Sequence, residues 1–410
     1  MRVNRILARL AAAILPLSFI LASHPVAPAA QTRSLVEGNT AFAFDLYGQL
    51  KTAPGNLFFS PYSVSTCLGM TYAGARGETE KQMGQVLHFG PDFQQVHAGF
   101  GELGRQLAAV GQQQDLELSL ANALWGQKGY PFLPAFLQVA RAEYQANLNQ
   151  TDFATGAEAA RGEINRWVAQ KTKEKIQDIL PPGSIEGTSR LVLANAIYFK
   201  GAWTKSFERS ATSIQPFHRA GATPANVPLM HKFDEVRYVE NDEFQAVELP
   251  YARGELSMVV LLPRQIEGCG KLEGRLRPAL LASALGQMKK QRVEIFLPRF
   301  KLESSFKLND TLARMGMRDA FYVGRADFSG LGGSRGDLWI SGIFHKAWGE
   351  VNEEGTEAAA ATATVIKARA IARPMAPPPV FRADHPFLFL IRDTRTGSLL
   401  FLGRLAEPSR

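Results

Sequence analysis

Three groups of side chains in this sequence carry enough chemistry to start from: a serine among glycines, the histidines and cysteines, and an arginine closing a long run of small residues. Gly332–Gly336, GGSRG, fits the G-x-S-x-G pattern, in which Ser334 would be a hydrolase nucleophile. That chemistry needs a strand before the serine and a helix after it, so that a sharp turn lifts the hydroxyl above a sheet. Here the polar ADFSGL precedes and the strand-like DLWISGI follows, which predicts a glycine-rich turn instead. The seven histidines (24, 88, 97, 218, 231, 345 and 385) form no HExxH motif and no Cys/His zinc spacing. His88 and His97 read as surface or helix-capping residues. No glycine loop for phosphate follows a strand, so neither a metal nor a nucleotide cofactor is expected.

The third group is EEGTEAAAATATVIKARA, Glu353–Ala370. Placed with the two-residue period of a strand, Thr356, Ala358, Ala360, Thr362, Thr364, Ile366 and Ala368 share one face. The opposite face carries Glu357, Ala359, Ala361, Ala363, Val365, Lys367 and Arg369, and so every charge from Thr356 to Arg369. Alanine favours helix, but three threonines and the absence of an amphipathic stripe oppose it. A flexible linker would be rich in Gly or Ser. The remaining reading is an exposed loop able to become a strand with one buried, uncharged face. Its continuation, IARPMAPPPV, is an extended proline-rich segment.

The elements that must hold such a loop follow from periodicity. Helical spacing covers 37–50 and continues from the proline-started PYSVSTCLGMTYAGA, with further helices over Thr79–Leu87, Pro134–Tyr144 and Ala157–Thr172. Strand patterns then take over in SRLVLANAIYFKG, FQAVELPY, LSMVVLLP, RVEIFLPRF, DLWISGIFHKAWGEV, PFLFLIRD and SLLFLGRL, the last two joined by the turn Thr394–Gly397. Helices early and strands late, without β-α-β alternation, predict an α+β fold. No linker divides the chain, so residues 30–410 read as a single domain.

The chain has 410 residues, 46% hydrophobic and 20% charged, which is globular composition. Arg2, Arg5 and Arg9 precede an apolar run from Leu10 to Ala22 and the small-x-small pattern Ala27-Pro28-Ala29, the marks of a signal peptide cut after Ala29. The run is short for a bilayer and broken by Pro16, so a secreted or periplasmic protein without a membrane anchor is expected. The net charge of +8, less those three arginines, leaves +5, with no basic and aromatic interleaving that would call for nucleic acid. Cys67 and Cys269 are too few for a disulfide framework, and Cys67 sits in an apolar helical pattern, which predicts a buried free thiol.

NLFFSPYSVSTCLGMTYAGARGETEKQM, NAIYFKGAW, HKAWGEVNEEGTEAAAAT, FRADHPFLFLI and FLGRLAEP together resemble the serpin family of serine protease inhibitors, in the family's order and over nearly the whole chain beyond residue 29. The resemblance implies three β-sheets, eight or nine helices and an exposed reactive loop, about residues 353–380. It implies an endopeptidase inhibitor and not an enzyme: a monomer whose partner is a target protease that cleaves the loop and is trapped as an acyl-enzyme when the loop inserts into the main sheet. Loop insertion in serpins is itself a standard example of strand addition. The hinge would comprise Glu353, Glu354, Gly355, Thr356, Glu357, Ala358, Ala359, Ala360, Ala361 and Thr362. The seventeenth residue counted from Glu353 is Arg369, so Arg369–Ala370 is the implied reactive bond, ranked ahead of Lys367 and Arg373, and arginine there suits a trypsin-like protease. Ser60, Ser63, Asn195 and His345 match a polar cluster beneath the opening sheet. Trp203 matches an aromatic where the loop enters, and Arg299 pairs with Glu353. The segment from Ala370 to His385 is longer than the family pattern. A non-inhibitory carrier and an inhibitor of papain-like cysteine proteases are the alternatives that the resemblance leaves, with a secreted hydrolase using Ser334 as a third.

Overall fold

The computed structural model describes residues 30–111, 115–146, 148–356 and 377–408. The expected signal segment, hinge residues Glu357, Ala358, Ala359, Ala360, Ala361 and Thr362, and the candidate bonds at Lys367, Arg369–Ala370 and Arg373 lie outside the described residues. In the first half the elements are α1 (Ala30–Leu50), β1 (Leu57–Phe59), α2 (Pro61–Tyr72), α3 (Gly77–Val86), α4 (Phe93–Gly111), β2 (Leu116–Gln127), α5 (Pro134–Tyr144), β3 (Leu148–Thr151), α6 (Phe153–Lys171) and β4 (Leu191–Ala202). The second half runs β5 (Ser213–Phe217), β6 (Ala225–Glu240), β7 (Phe244–Tyr251), β8 (Leu256–Pro263), α7 (Cys269–Arg275), α8 (Pro278–Gln287), β9 (Lys289–Pro298), β10 (Phe300–Lys307), α9 (Asn309–Met315), β11 (Ile340–Val351), β12 (Gly355–Thr356), β13 (Val380–Arg382), β14 (Phe387–Asp393) and β15 (Leu399–Leu405).

These strands form two hydrogen-bonded sheets. The six-stranded sheet has the order β10-β11-β12-β4-β2-β3, and the nine-stranded sheet runs β1-β15-β14-β8-β7-β6-β9-β13 with β5 on β6. The resemblance implied three sheets. Two of them are continuous here because the 16-residue β6 pairs with β5 and β9 along most of its length and with β7 at its far end. The α+β class is borne out, with nine α-helices among the described residues.

Packing explains why β4 is buried almost throughout. On one face Ile197 and Phe199 join Met258, Val260, Phe389 and Phe401 of the nine-stranded sheet in a shared core. On the other, Ala194, Ala196 and Tyr198 pack with Ile164 and Val168 of α6. A strand covered on both sides reads as a nearly continuous apolar run, as LVLANAIYF does. The polar Asn195 inside that run is therefore conspicuous. Asp152 starts α6 earlier than periodicity alone predicts, because its carboxylate accepts the Thr155 N–H and caps the helix. Cys67 and Cys269 are free and buried, and burial pushes both thiols up to about 12.

Candidate functional site

In the six-stranded sheet β4 and β11 run parallel and are paired directly from Leu191/Ile340 to Tyr198/Trp348. Above that seam the two strands part and admit β12, which is antiparallel to both: Thr356 lies opposite Val351 of β11 and opposite Gly201 of β4. The chain reaches this position through a turn at Asn352, whose side-chain oxygen accepts the N–H groups of Glu354 (3.0 Å) and Gly355 (3.2 Å). Gly355 has φ +150, and a Cβ there would stand 2.0 Å from the Gly201 carbonyl oxygen. Only glycine lets the loop backbone approach β4 so closely.

The expected pair forms at the turn. Glu353 is 3% exposed, and the Arg299 Nε donates to both of its carboxylate oxygens at 2.7 Å while Nη2 donates to Oε1. The Thr212 hydroxyl donates to Oε1 at 2.5 Å. Burial would raise the carboxyl, but the guanidinium fork and the hydroxyl outweigh it and hold Glu353 below the usual carboxylate range. Arg209 pairs with Glu354 through a single contact, from Nη2 to Oε1, at the exposed side of the turn.

Trp203 lies beside this turn. Its ring stacks on Tyr251 at 4.5 Å, and its indole N–H donates to the Asn352 carbonyl at 3.0 Å. The Tyr251 hydroxyl and Thr356 Oγ1 are hydrogen-bonded at 2.8 Å, and Thr356 is 2% exposed. The small-residue face thus begins buried, as the period-two pattern requires. Burial raises the Tyr251 phenol, so it stays neutral against that face.

Ser60, Ser63, Asn195 and His345 come together lower in the same seam, all fully buried or nearly so. Ser60 caps α2 by accepting the Ser63 N–H at 3.1 Å, and its own N–H donates to His345 Nε2 at 3.0 Å. That bond leaves Nε2 as the acceptor, so Nδ1 carries the proton and donates it to Asn195 Oδ1. Burial lowers His345 to about 3, so the ring is neutral. The Asn195 amide donates to the Ser63 carbonyl at 2.8 Å and to Asn122 Oδ1, with Ser63 Oγ at 2.6 Å. His345 and Asn195 are register partners across β11 and β4, and Asn122 partners Asn195 across β2 and β4. A polar line therefore crosses three strands, and one hydrogen bond of it spans the seam.

Sequence reasoning missed Asn352, Thr212, Arg209, Tyr251 and Asn122. Asn352 has a local signal, an asparagine three residues before a glycine that needs a turn. The others join the site across 50 residues or more and have none. Two readings of single residues turn out differently from one another. His88 is exposed just after α3 and contacts Asp45 Oδ2 at 2.6 Å, a surface residue as expected. His97 is not at the surface: it is 4% exposed inside α4, with Nδ1 2.6 Å from the Tyr144 hydroxyl and Phe93 edge-on at 4.3 Å. Aromatic packing around an amphipathic helix overrode its polarity. Ser334 is exposed in a turn closed by Asp337, with no strand before it, and it makes no nucleophile elbow.

A two-residue strand seated above a parallel seam, a buried carboxylate at the turn and a polar cluster in that seam make up the site. Comparison with known proteins gives the family. The family model described as serpin (serine protease inhibitor) matches residues 37–408. Serpin B3 of Homo sapiens is 41% identical over 92% of this chain and 100% of its own length. The leukocyte elastase inhibitor of Xenopus tropicalis is 41% identical over 90% of this chain and 98% of its own. Among solved structures, Serpin48 of the insect Tenebrio molitor superposes with a TM-score of 0.82 at 30% identity, covering 93% of this chain and all of that one. The chain belongs to the serpin family. It is a protease inhibitor and not an enzyme.

Proposed function

We propose that this serpin inhibits trypsin-like serine endopeptidases as a suicide substrate cleaved at Arg369–Ala370. Attack on that bond would leave an acyl-enzyme on Arg369, and the freed loop would extend β12 downward between β4 and β11. The observation that supports this most is the register of β12. Continued residue by residue from Thr356, it brings Thr362 opposite both Asn195 and His345. A threonine hydroxyl then arrives where the Asn195–His345 hydrogen bond must break, and offers each group a new partner. Loop residues with even numbers follow Thr356 onto the buried face, and Lys367 and Arg369 stay on the other. Seventeen residues at about 3.3 Å each would carry the bound protease about 56 Å.

The reading includes export and action as a monomer. Its support is the sequence pattern of three arginines, an apolar run and Ala27-Pro28-Ala29 ahead of a family match that begins at residue 37. The test is incubation of the purified mature protein with trypsin, followed by denaturing electrophoresis and mass spectrometry. A complex that survives boiling in detergent, a released peptide starting at Ala370 and a mature N-terminus at Ala30 are expected. Arg369→Ala should remove most of the complex. Release of a peptide starting at Ala368 or Pro374 would move the reactive bond to Lys367 or Arg373.

A further inference from the structure

The segment from Trp203 to Thr212, which joins β4 to β5, grips the turn at Asn352–Gly355 with backbone and side chains alike. The Trp203 N–H donates to the Glu354 carbonyl and the Phe207 N–H to the Glu353 carbonyl, each at 2.8 Å. Arg209 and Thr212, further along, hold the two carboxylates. Apart from the bridge of Trp203 to Tyr251, residues 203–212 pair with no strand. A segment outside the sheets needs another support if it is to hold the turn in one place.

That support comes from Lys232 of β6, whose side chain is 8% exposed. Its Nζ donates to the Lys205 carbonyl at 2.6 Å. The same ammonium stands 4.5 Å from the centre of the Phe207 ring, within range of a cation–π contact, and 3.1 Å from Asp234 Oδ2. Asp234 Oδ1 in turn accepts from Lys205 Nζ at 3.1 Å. Burial pulls Lys232 down to about 8, and Asp234 opposes that. A buried charge tolerates little displacement of its partners, since moving them away leaves it unpaired. Two of the partners here, the Lys205 carbonyl and the Phe207 ring, belong to the segment. Contacts continue from them to the loop. Phe207 lies edge-on to Trp203 at 6.4 Å, Trp203 stacks on Tyr251, and the Tyr251 hydroxyl is bonded to Thr356.

We propose that Lys232 is a positioning residue of the loop entrance: it fixes residues 205–207, and through them the place and register of β12. Its consequence for inhibition rests on the proposed insertion, because a strand that starts out of register enters the seam late and the waiting acyl-enzyme is hydrolysed. Hydrogen exchange read by mass spectrometry on the intact mature protein tests the placement without any protease. In Lys232→Met the Trp203 and Phe207 amides should exchange at least tenfold faster, while those of β14 and β15 keep their wild-type rates. Lys232→Arg, which keeps the charge, should restore most of the protection. If Lys232→Met does not fold, Asp234→Asn decides: the same two amides should exchange several-fold faster. Wild-type exchange at those amides in the deciding variant, acceleration shared equally by β14 and β15, or an arginine variant as fast as the methionine one would overturn the assignment. With trypsin, Lys232→Met should consume several-fold more inhibitor per protease trapped than the wild type or Lys232→Arg. Faster exchange with an unchanged ratio would remove Lys232 from loop entry. A wild-type protein that does not trap trypsin would count against the reactive bond, and the exchange rates would still decide the role of Lys232.

Discussion

Thr356 and Gly355 do different things at the point where the loop starts. Gly355 lets the backbone come against β4, and Thr356 turns the first side chain of the small-residue face into the core beside Tyr251. An arginine at 356 would bring an unpaired charge into a pocket 2% exposed, a cost well above the few kcal/mol of a buried polar group. Thr356→Arg should therefore leave cleavage by trypsin intact while insertion fails. The number of inhibitor molecules consumed per protease trapped should rise at least tenfold, read from titration of residual trypsin activity. A variant that still traps near one-to-one would show that this face does not enter the sheet.

At the scale of elements, the seam between β4 and β11 is held by a histidine that must stay neutral. The folded pKa of His345 is about 3, well below the ordinary 6.5. Between those values the unfolded chain binds a proton that the folded one excludes. Stability is thus fully present above pH 6.5 and is lost as pH falls through that window, by up to about 1.4 kcal/mol per pH unit from this one group. His97, lowered by burial to about 4, adds to the same slope over most of it. Opening the seam wets His345 as unfolding does, so acid should loosen the sheet before the chain unfolds. Urea unfolding followed at pH 7.5, 6.5, 5.5 and 4.5 should show resistance falling from 6.5 downward. His345→Gln, whatever it costs at pH 7.5, should flatten that fall. An equal slope in the variant would remove His345 from the lock.

Across the whole molecule, strands β4, β7, β8, β9, β11, β14 and β15 were legible because their β-branched and aromatic runs are long, and helix α5 was legible to the residue. Strands β1, β2, β3, β5, β6, β10 and β13 and helices α4, α7, α8 and α9 were not. LELSLANALWGQ is rich in Leu and Ala, which favour helix, and it becomes a strand because it pairs with β4 over 11 residues. That pairing supplies the flank against which the seam can open, so the part of the site that local sequence hides is the part made by long-range register. The hinge beyond Thr356 is an expectation of the sequence alone, from a face of Ala and Thr without charge that suits a strand able to enter a sheet. Below β12, β4 and β11 are paired parallel, and a strand inserted there would make two antiparallel pairs. About a dozen further ladder hydrogen bonds at roughly 0.5–1.5 kcal/mol each would give on the order of 10 kcal/mol, comparable to a domain's whole stability. On the proposed mechanism the uncleaved fold would be kinetically held and not the most stable one. Cutting the loop with a protease that is not trapped, then heating both forms, tests this directly. The cleaved protein should melt about 10–20 °C higher, taking roughly 1–2 °C per kcal/mol for a chain of this size by extension of the trend in smaller domains. Equal midpoints would mean that the seam does not open, and that the loop is a substrate without being a trap.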